Sequence, residues 1–370
     1  MCEAVVKSLF ARLWRTFCLM LANQPSLTLY FLPLLQRFWP GFVPGQYRAH
    51  LLAKQWQTAD MLQLSFKVSP RWPGFVPGQH LLLTLQHNGR YIIRPFSICS
   101  PLSLWQSRQY IQLCCKINNA GEFTPLLNLL NKGAVVNISQ AQGDFYWQQP
   151  AMPAVFVAAG SGITPIAAML LSQRHWLAPA TLHYRVRGTE NAALLKELKQ
   201  LAIRQPLFTL QLSDSRLEPA ETLQQQLCAG ASNKQFYLCG PHTFMQQLRN
   251  TLSQQGVPAE HIKQEQFGLA LPPAANIKSS TTDPLLSANF IRAGISTAVT
   301  LNSQLSLLQN AKQHNLAPRF GCRMGVCFQC VCDKVSGQVR DMRSGALSGH
   351  GAEQIQLCVS QPVTELVIKL

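Results

Sequence analysis

Gly321-Cys322-Arg323-Met324-Gly325-Val326-Cys327-Phe328-Gln329-Cys330 is the stretch on which the reading of this chain turns, with Cys358 following a segment later. Its cysteines are spaced Cys-x4-Cys-x2-Cys, an arrangement in which three thiolates and one distant fourth hold a 2Fe–2S cluster. The short spacings let one loop wrap the cluster. Gly321 and Gly325 let backbone N–H groups approach the sulfurs, where they tune potential. A structural zinc site is the competing reading, but such sites usually pair two Cys-x2-Cys knuckles, and only one is present. Cys322, Cys327, Cys330 and Cys358 are therefore the expected cluster ligands. Cys332, just past Cys330, reads as a buried spectator.

Working back toward the N-terminus, Leu269 to Pro284 carries Pro272, Pro273, Ser279, Ser280, Thr281 and Thr282 and reads as a tether. After it, a strand at Val299–Leu301, a helix near Leu305–Gln313 and a closing strand at Thr364–Leu370 frame the cysteine loop. Ahead of it, the apolar run Ala154–Ala159 enters Gly160-Ser161-Gly162-Ile163-Thr164-Pro165 and then a helical Ile166–Gln173. Strand, Gly-rich turn and helix in that order form the doubly wound unit that seats a pyrophosphate on a helix N-terminus. The fingerprint is incomplete, because Pro165 holds its last position. The strand Thr181–Val186 ends at Arg187, a residue that suits the phosphate of NADP, with Glu190 close by as a competing acid for NAD. A further strand, Gln235–Leu238, ends in Cys239-Gly240-Pro241 before a helix at Thr243–Gln254. A thiol there would face the nicotinamide from the crevice.

Residues 47–149 change character again. Tyr47–Ala53, Met61–Val68, His80–Leu85, Tyr91–Ile98 and Tyr110–Ile117 are short β-rich runs separated by turn residues, the pattern of a small antiparallel barrel. Within it, Arg94-Pro95-Phe96-Ser97 combines a phosphate clamp, a stacking face and a hydroxyl able to reach a flavin N5. Gly121-Glu122-Phe123-Thr124, ahead of a helical Pro125–Leu130, offers a phosphate cradle.

Taken together these motifs resemble the ferredoxin–NADP reductase superfamily, in the group with a plant-type ferredoxin domain fused at the C-terminus. The resemblance spans roughly residues 47–370. It implies an antiparallel β-barrel flavin domain at 47–149, a doubly wound α/β nicotinamide domain at 150–268, a linker at 269–285 and an α+β ferredoxin domain of β-grasp type at 286–370. Flavin contacts fall on Arg94, Phe96, Ser97, Gly121 and Thr124. Nucleotide contacts fall on Gly160, Gly162, Thr164, Pro165, Arg187, Cys239, Gly240 and Pro241, and Phe267 closes the domain beside the flavin. Phe96 stands where Tyr is commoner, and Phe328 where a small residue is frequent. The implied cofactors are FAD or FMN, with the second cradle favouring FAD, a 2Fe–2S cluster, and NADPH over NADH. Ser97 and Cys239 would align the hydride step rather than carry protons.

Electrons would then leave for an external acceptor. A membrane di-iron fatty-acyl desaturase is the first expectation, a soluble oxygenase or a hybrid-cluster protein the alternatives, and a non-enzymatic redox sensor the reading from another class. Arg319 and Arg323 beside the first ligand imply an acidic docking face on the acceptor. The chain's 32 Lys+Arg against 16 Asp+Glu raise nucleic acid as a partner, but the charges are scattered and no nucleic-acid motif accompanies them. Twelve cysteines in an iron–sulfur chain point to a reducing cytosol without disulfides. Residues 4–22 place Val6, Phe10, Leu13, Phe17 and Leu21 on one helical face and basic residues on the other. That pattern suits a helix in the membrane interface, giving peripheral attachment, or one packed on the protein's own surface. The octapeptide Trp39–Gln46 recurs word for word as Trp72–Gln79.

Overall fold

In a computed structural model, residues 46–87, 90–228, 230–266, 286–292, 294–321, 323, 325, 329–343 and 345–370 are described. The amphipathic segment, the tether, Phe267, Cys322 and Cys327 lie outside them.

Three units, each built on a main sheet, follow one another along the described residues. The first holds β1 (Gln46–Trp56), β2 (Met61–Val68), β3 (His80–His87), β4 (Arg90–Ser97), β5 (Tyr110–Lys116) and β6 (Val135–Ser139) in the order β4-β3-β6-β1-β2-β5, with every pairing antiparallel. Strand alternation explains it. Leu62, Leu64, Phe66 and Val68 point into a core with Leu81, Leu83, Ile111 and Ile138, while Lys67 faces out. The second copy of the octapeptide acts as a plug in this core. Trp72 is buried there, with its indole N–H donating to Ser139 O at 2.9 Å, and Phe75 packs beside it. Gly74 has φ +91, and a Cβ there would sit 2.4 Å from the Trp105 ring, so only glycine fits that turn.

The second sheet is parallel: β7 (Ala154–Ala159), β8 (Ala180–Val186), β9 (Phe208–Asp214), β10 (Gln235–Gly240) and β11 (Ile262–Gln266), in the order β11-β10-β7-β8-β9. The apolar run of β7 is what a central parallel strand requires, since helices cover both faces. Helices α1 (Leu102–Arg108) and α2 (Thr124–Leu129) belong to the first unit. In the second come α3 (Ile163–Ser172), α4 (Leu195–Arg204), α5 (Ala220–Cys228) and α6 (His242–Gln254). Residues 163–170 of α3 are all buried. Met61, Cys99 and Cys114 of the barrel enter the core of this second unit beside Phe145 and Ile166, so the two units share one apolar seam.

The third unit contains β12 (Leu286–Arg292), β13 (Ile295–Leu301), α7 (Leu307–Gln313), β14 (Val331–Ser336), β15 (Val339–Asp341), β16 (Glu353–Gln356), β17 (Ser360–Pro362) and β18 (Leu366–Lys369). Its main sheet runs β13-β12-β18-β14-β16, mixed in direction, with β15 and β17 paired separately. A reciprocal Ser306–Gln309 capping box starts α7. Lys334 is fully buried. Its Nζ donates to the carbonyls of Gly337, Gly349 and Gly351 at 2.7, 2.8 and 2.7 Å, and lies 3.1 Å from Glu353 Oε1. Among the described residues, no helix is long and apolar enough to cross a membrane.

Candidate functional site

The barrel and the parallel sheet meet where His80 of β3 and Ser97 of β4 face Glu265 of β11. On β4, the Arg94 Nη1 donates to Ile93 O and to Gly321 O, both at 2.8 Å, and its guanidinium lies 5.9 Å from the Phe123 ring centroid. Phe96 is half-buried against Phe123, ring centroids 5.6 Å apart. Ser97 is buried, and its Oγ reaches toward Glu265 Oε2 at 3.5 Å. Gly121 and Thr124 share one turn with Asn118. The Thr124 hydroxyl accepts from Asn118 N–H at 2.9 Å, and a Cβ on Gly121 would stand 3.1 Å from Asn118 O.

On the second sheet, β7 turns through Gly160 and Gly162 into α3. Gly162 is obligatory because a Cβ there would lie 2.1 Å from the Cys239 carbonyl oxygen. The Thr164 hydroxyl donates to Ser161 O at 3.0 Å, and Pro165 occupies the first helical turn, where no intrahelical N–H is needed. A cavity of about 540 Å³ opens above these strand ends. Gly160, Ser161, Arg185, Arg187, Gly240 and Phe244 line it, together with Asp60 and Lys116 from the barrel. A Cβ at Gly160 would meet nothing within 4 Å, so the backbone there is open to a ligand. Among its charged residues cations prevail, Lys116, Arg185 and Arg187. Its one acid, Asp60, is held by Lys116 at 2.8 Å. Such a cavity suits the phosphates of a dinucleotide.

Arg187 is exposed at this cavity, directly after β8. The acid expected to compete with it is engaged elsewhere: Glu190 Oε1 lies 3.7 Å from Arg216 Nη1. Arg216 in turn pairs with Asp214 at 2.7 Å and holds that carboxyl well below the usual carboxylate range. Arg185 is buried, its guanidinium donating to Glu218 O and lying 5.9 Å from the Phe244 ring centroid. The thiol of Cys239 is not among the groups lining this cavity. It is fully buried in the core, and burial, with Glu265 adding to it, pushes the thiol well above its ordinary value. At this point the cavity is lined by Gly240, the last residue of β10, and by Pro241 just after it.

Sequence reading passed over His80, Glu265, Lys116 and Arg185. Glu265 stands two residues before Phe267, but nothing local signals that it meets Ser97, which lies 168 residues earlier. His80 Nε2 is buried with no protein partner among the described residues, a polar atom that fits a site built for a bound group.

In the third unit, Cys330 and Cys358 are both buried in one apolar cluster, and Leu357 N–H donates to Cys330 O at 3.1 Å, setting their segments side by side. Cys332 is buried too, and burial pushes its thiol up to about 12. No group of three metal-ligating side chains occurs among the described residues, which include only Cys330 and Cys358 of the four expected ligands. Phe320 lies between two cations: Lys312 Nζ is 3.6 Å and Arg323 Cζ 4.8 Å from its ring centroid.

Residues 48–147 match the oxidoreductase FAD-binding domain and residues 156–250 the oxidoreductase NAD-binding domain. The chain is 28% identical to an NADPH oxidoreductase of Mycobacterium tuberculosis, over 76% of this chain and 73% of that protein. It is 26% identical to the vanillate O-demethylase oxidoreductase of Pseudomonas putida, over 75% and 85%. Phthalate dioxygenase reductase, described as a modular structure for electron transfer from pyridine nucleotides to a 2Fe–2S centre, shares the fold. Its TM-score is 0.61 at 22% identity, covering 90% of this chain and 99% of that one. With an FAD-binding antiparallel domain followed by an NAD-binding parallel one, in the two-domain fold of ferredoxin–NADP reductases, the chain is an NAD(P)H-dependent oxidoreductase.

Proposed function

We propose that this chain is the reductase component of an oxygenase-type system, taking electrons from NADPH and delivering them singly through a 2Fe–2S cluster in its third unit. Bound FAD would supply the conversion between a two-electron hydride donor and a one-electron acceptor. Arg94, Phe96, Ser97, Gly121 and Thr124 would hold it. The cationic cavity bearing Lys116, Arg185 and Arg187 would hold the nucleotide, and Cys322, Cys327, Cys330 and Cys358 the cluster. One observation carries the reading. Arg94 of the flavin strand donates to the carbonyl of Gly321, the residue before the first expected ligand. A contact joining those two motifs keeps the proposed donor and acceptor groups close, the requirement for passing electrons between them.

NADPH is favoured over NADH because Glu190 is tied to Arg216 while Arg187 stays exposed at the cavity. The name of one relative points the same way. For the acceptor, an oxygenase is preferred to a fatty-acyl desaturase. The N-terminal segment that, together with the basic charge and the resemblance, favours a desaturase lies outside the described residues, whereas a relative's name ties its reductase to an O-demethylase. The cations around Phe320 support an acidic docking face on that acceptor.

The test compares two acceptors. Wild-type protein should reduce both ferricyanide and cytochrome c with NADPH, and Cys358→Ser should keep the first activity and lose the second. Cytochrome c reduction that survives in Cys358→Ser would remove the cluster from the path.

A further inference from the structure

His80 is a buried titratable group that none of the cofactor motifs absorbs. It opens β3 and pairs in register with Ser97 at the end of β4, so the two side chains project from the same face of the barrel. Its Nδ1 lies 3.1 Å from Glu265 Oε1, while the other oxygen of that carboxylate, Oε2, is 3.5 Å from Ser97 Oγ. Glu265 comes from the second unit, on β11, in register with Cys239 of β10. A single carboxylate therefore bridges a histidine and a serine across the seam between the two units.

The chemistry of the three groups sets their hydrogens. An ionised carboxylate only accepts, so both neighbours must donate to it. That places the imidazole hydrogen on Nδ1 and commits the serine hydrogen to Glu265. What Ser97 then offers a bound cofactor is its oxygen lone pairs. Side-chain exposure is only 11% for His80 and 16% for Glu265, and such shielding strengthens a charge-assisted contact. Cleft contacts of this kind are commonly long before ligand binds and shorten in the complex.

We infer that His80 is a positioning residue for the hydride-transfer step: it fixes the Glu265 carboxylate so that the Ser97 hydroxyl is held in one orientation. The inference rests on Ser97 belonging to the flavin site. Neither the charge of His80 nor its size is what matters, but the donor at Nδ1. Two substitutions separate these properties. His80→Phe keeps a ring of similar volume without a donor, and His80→Asn places an amide N–H near the position of Nδ1.

Two experiments test it. In the apoprotein, long-range proton–nitrogen NMR should show His80 protonated at Nδ1, with that resonance shifted in Glu265→Gln. In the flavin-loaded protein, stopped-flow reduction by NADPH should slow ~10- to 100-fold in His80→Phe, the equivalent of one charge-assisted hydrogen bond. The nucleotide KM should stay unchanged. His80→Asn should recover most of the rate, and His80→Phe combined with Glu265→Gln should be no slower than Glu265→Gln alone. A flavin-loaded His80→Phe at the wild-type rate overturns the inference, as does His80→Asn as slow as His80→Phe. Should both variants lose flavin, the apoprotein spectrum decides, and an unmoved Nδ1 resonance in Glu265→Gln refutes it. Wild-type flavin that NADPH does not reduce would instead overturn the assignment of the flavin site.

Discussion

The Glu190 carboxylate stands 3.7 Å from the Arg216 guanidinium, which also grips Asp214 at 2.7 Å. An acid that could have favoured the free ribose hydroxyls of NADH thus faces another cation, while Arg187 is exposed at the cavity beside Lys116 and Arg185. NADPH should therefore be preferred in steady-state catalytic efficiency. Arg187→Ala should shrink that preference ~10-fold or more, the loss of one charge-assisted phosphate contact. A wild-type preference for NADH would show that Arg187 does not meet the 2′-phosphate.

Arg94→Ala should weaken flavin retention by about 1.5–3 kcal/mol, measured by fluorescence titration of the apoprotein. The same substitution deletes the contact to Gly321, so amide exchange near residues 319–321 should quicken. Unchanged flavin affinity would take Arg94 off the phosphate.

Serine at Cys322, Cys327, Cys330 or Cys358 should each abolish the visible 2Fe–2S spectrum, whereas Cys332→Ser should retain it. Cys332 sits on β14 inside the apolar cluster of the third unit, and the four expected ligands already complete a cluster without it. Loss of the spectrum in Cys332→Ser together with its survival in Cys358→Ser would reassign the fourth ligand.

His183, on β8, should make stability depend on pH. Burial, reinforced by Lys234, lowers its imidazole from the ordinary 6.5 to about 4. Between those values the unfolded chain binds a proton that the folded chain excludes. Stability thus falls as pH drops from about 6.5 toward 4 and levels off below, a loss of about 3 kcal/mol across the window. In urea titrations, His183→Gln should flatten that slope. Parallel profiles for wild type and variant would assign the slope to other groups.

Some elements are legible from sequence because local pattern and tertiary role agree. Met61–Val68 alternates cleanly, and Ala154–Ala159 is apolar throughout, as a strand covered on both faces must be. Val135–Ser139 escapes because it is short and interrupted by Asn137, its place being set by pairing with β1 and β3. Helix α4 is a different case: Leu195, Leu198 and Leu201 mark its buried stripe at helical spacing, a signal present but unused. Within the site, Arg94 and Ser97 are visible because they share one motif. Glu265 and His80 are not, since only the meeting of β3, β4 and β11 brings them together. Cys239 is visible from its strand-end position, but its burial is not, since that depends on the core packed around β10.

Lys334 turns the third unit into its own reporter. An amine acylates through its nitrogen lone pair, which an ammonium engaged with three carbonyls and a carboxylate cannot present. While the sheet is closed, amine-directed reagents should label the exposed lysines and spare this one. Slow tagging of Lys334 would then time the opening of the sheet around it, without any spectroscopic probe of the cluster.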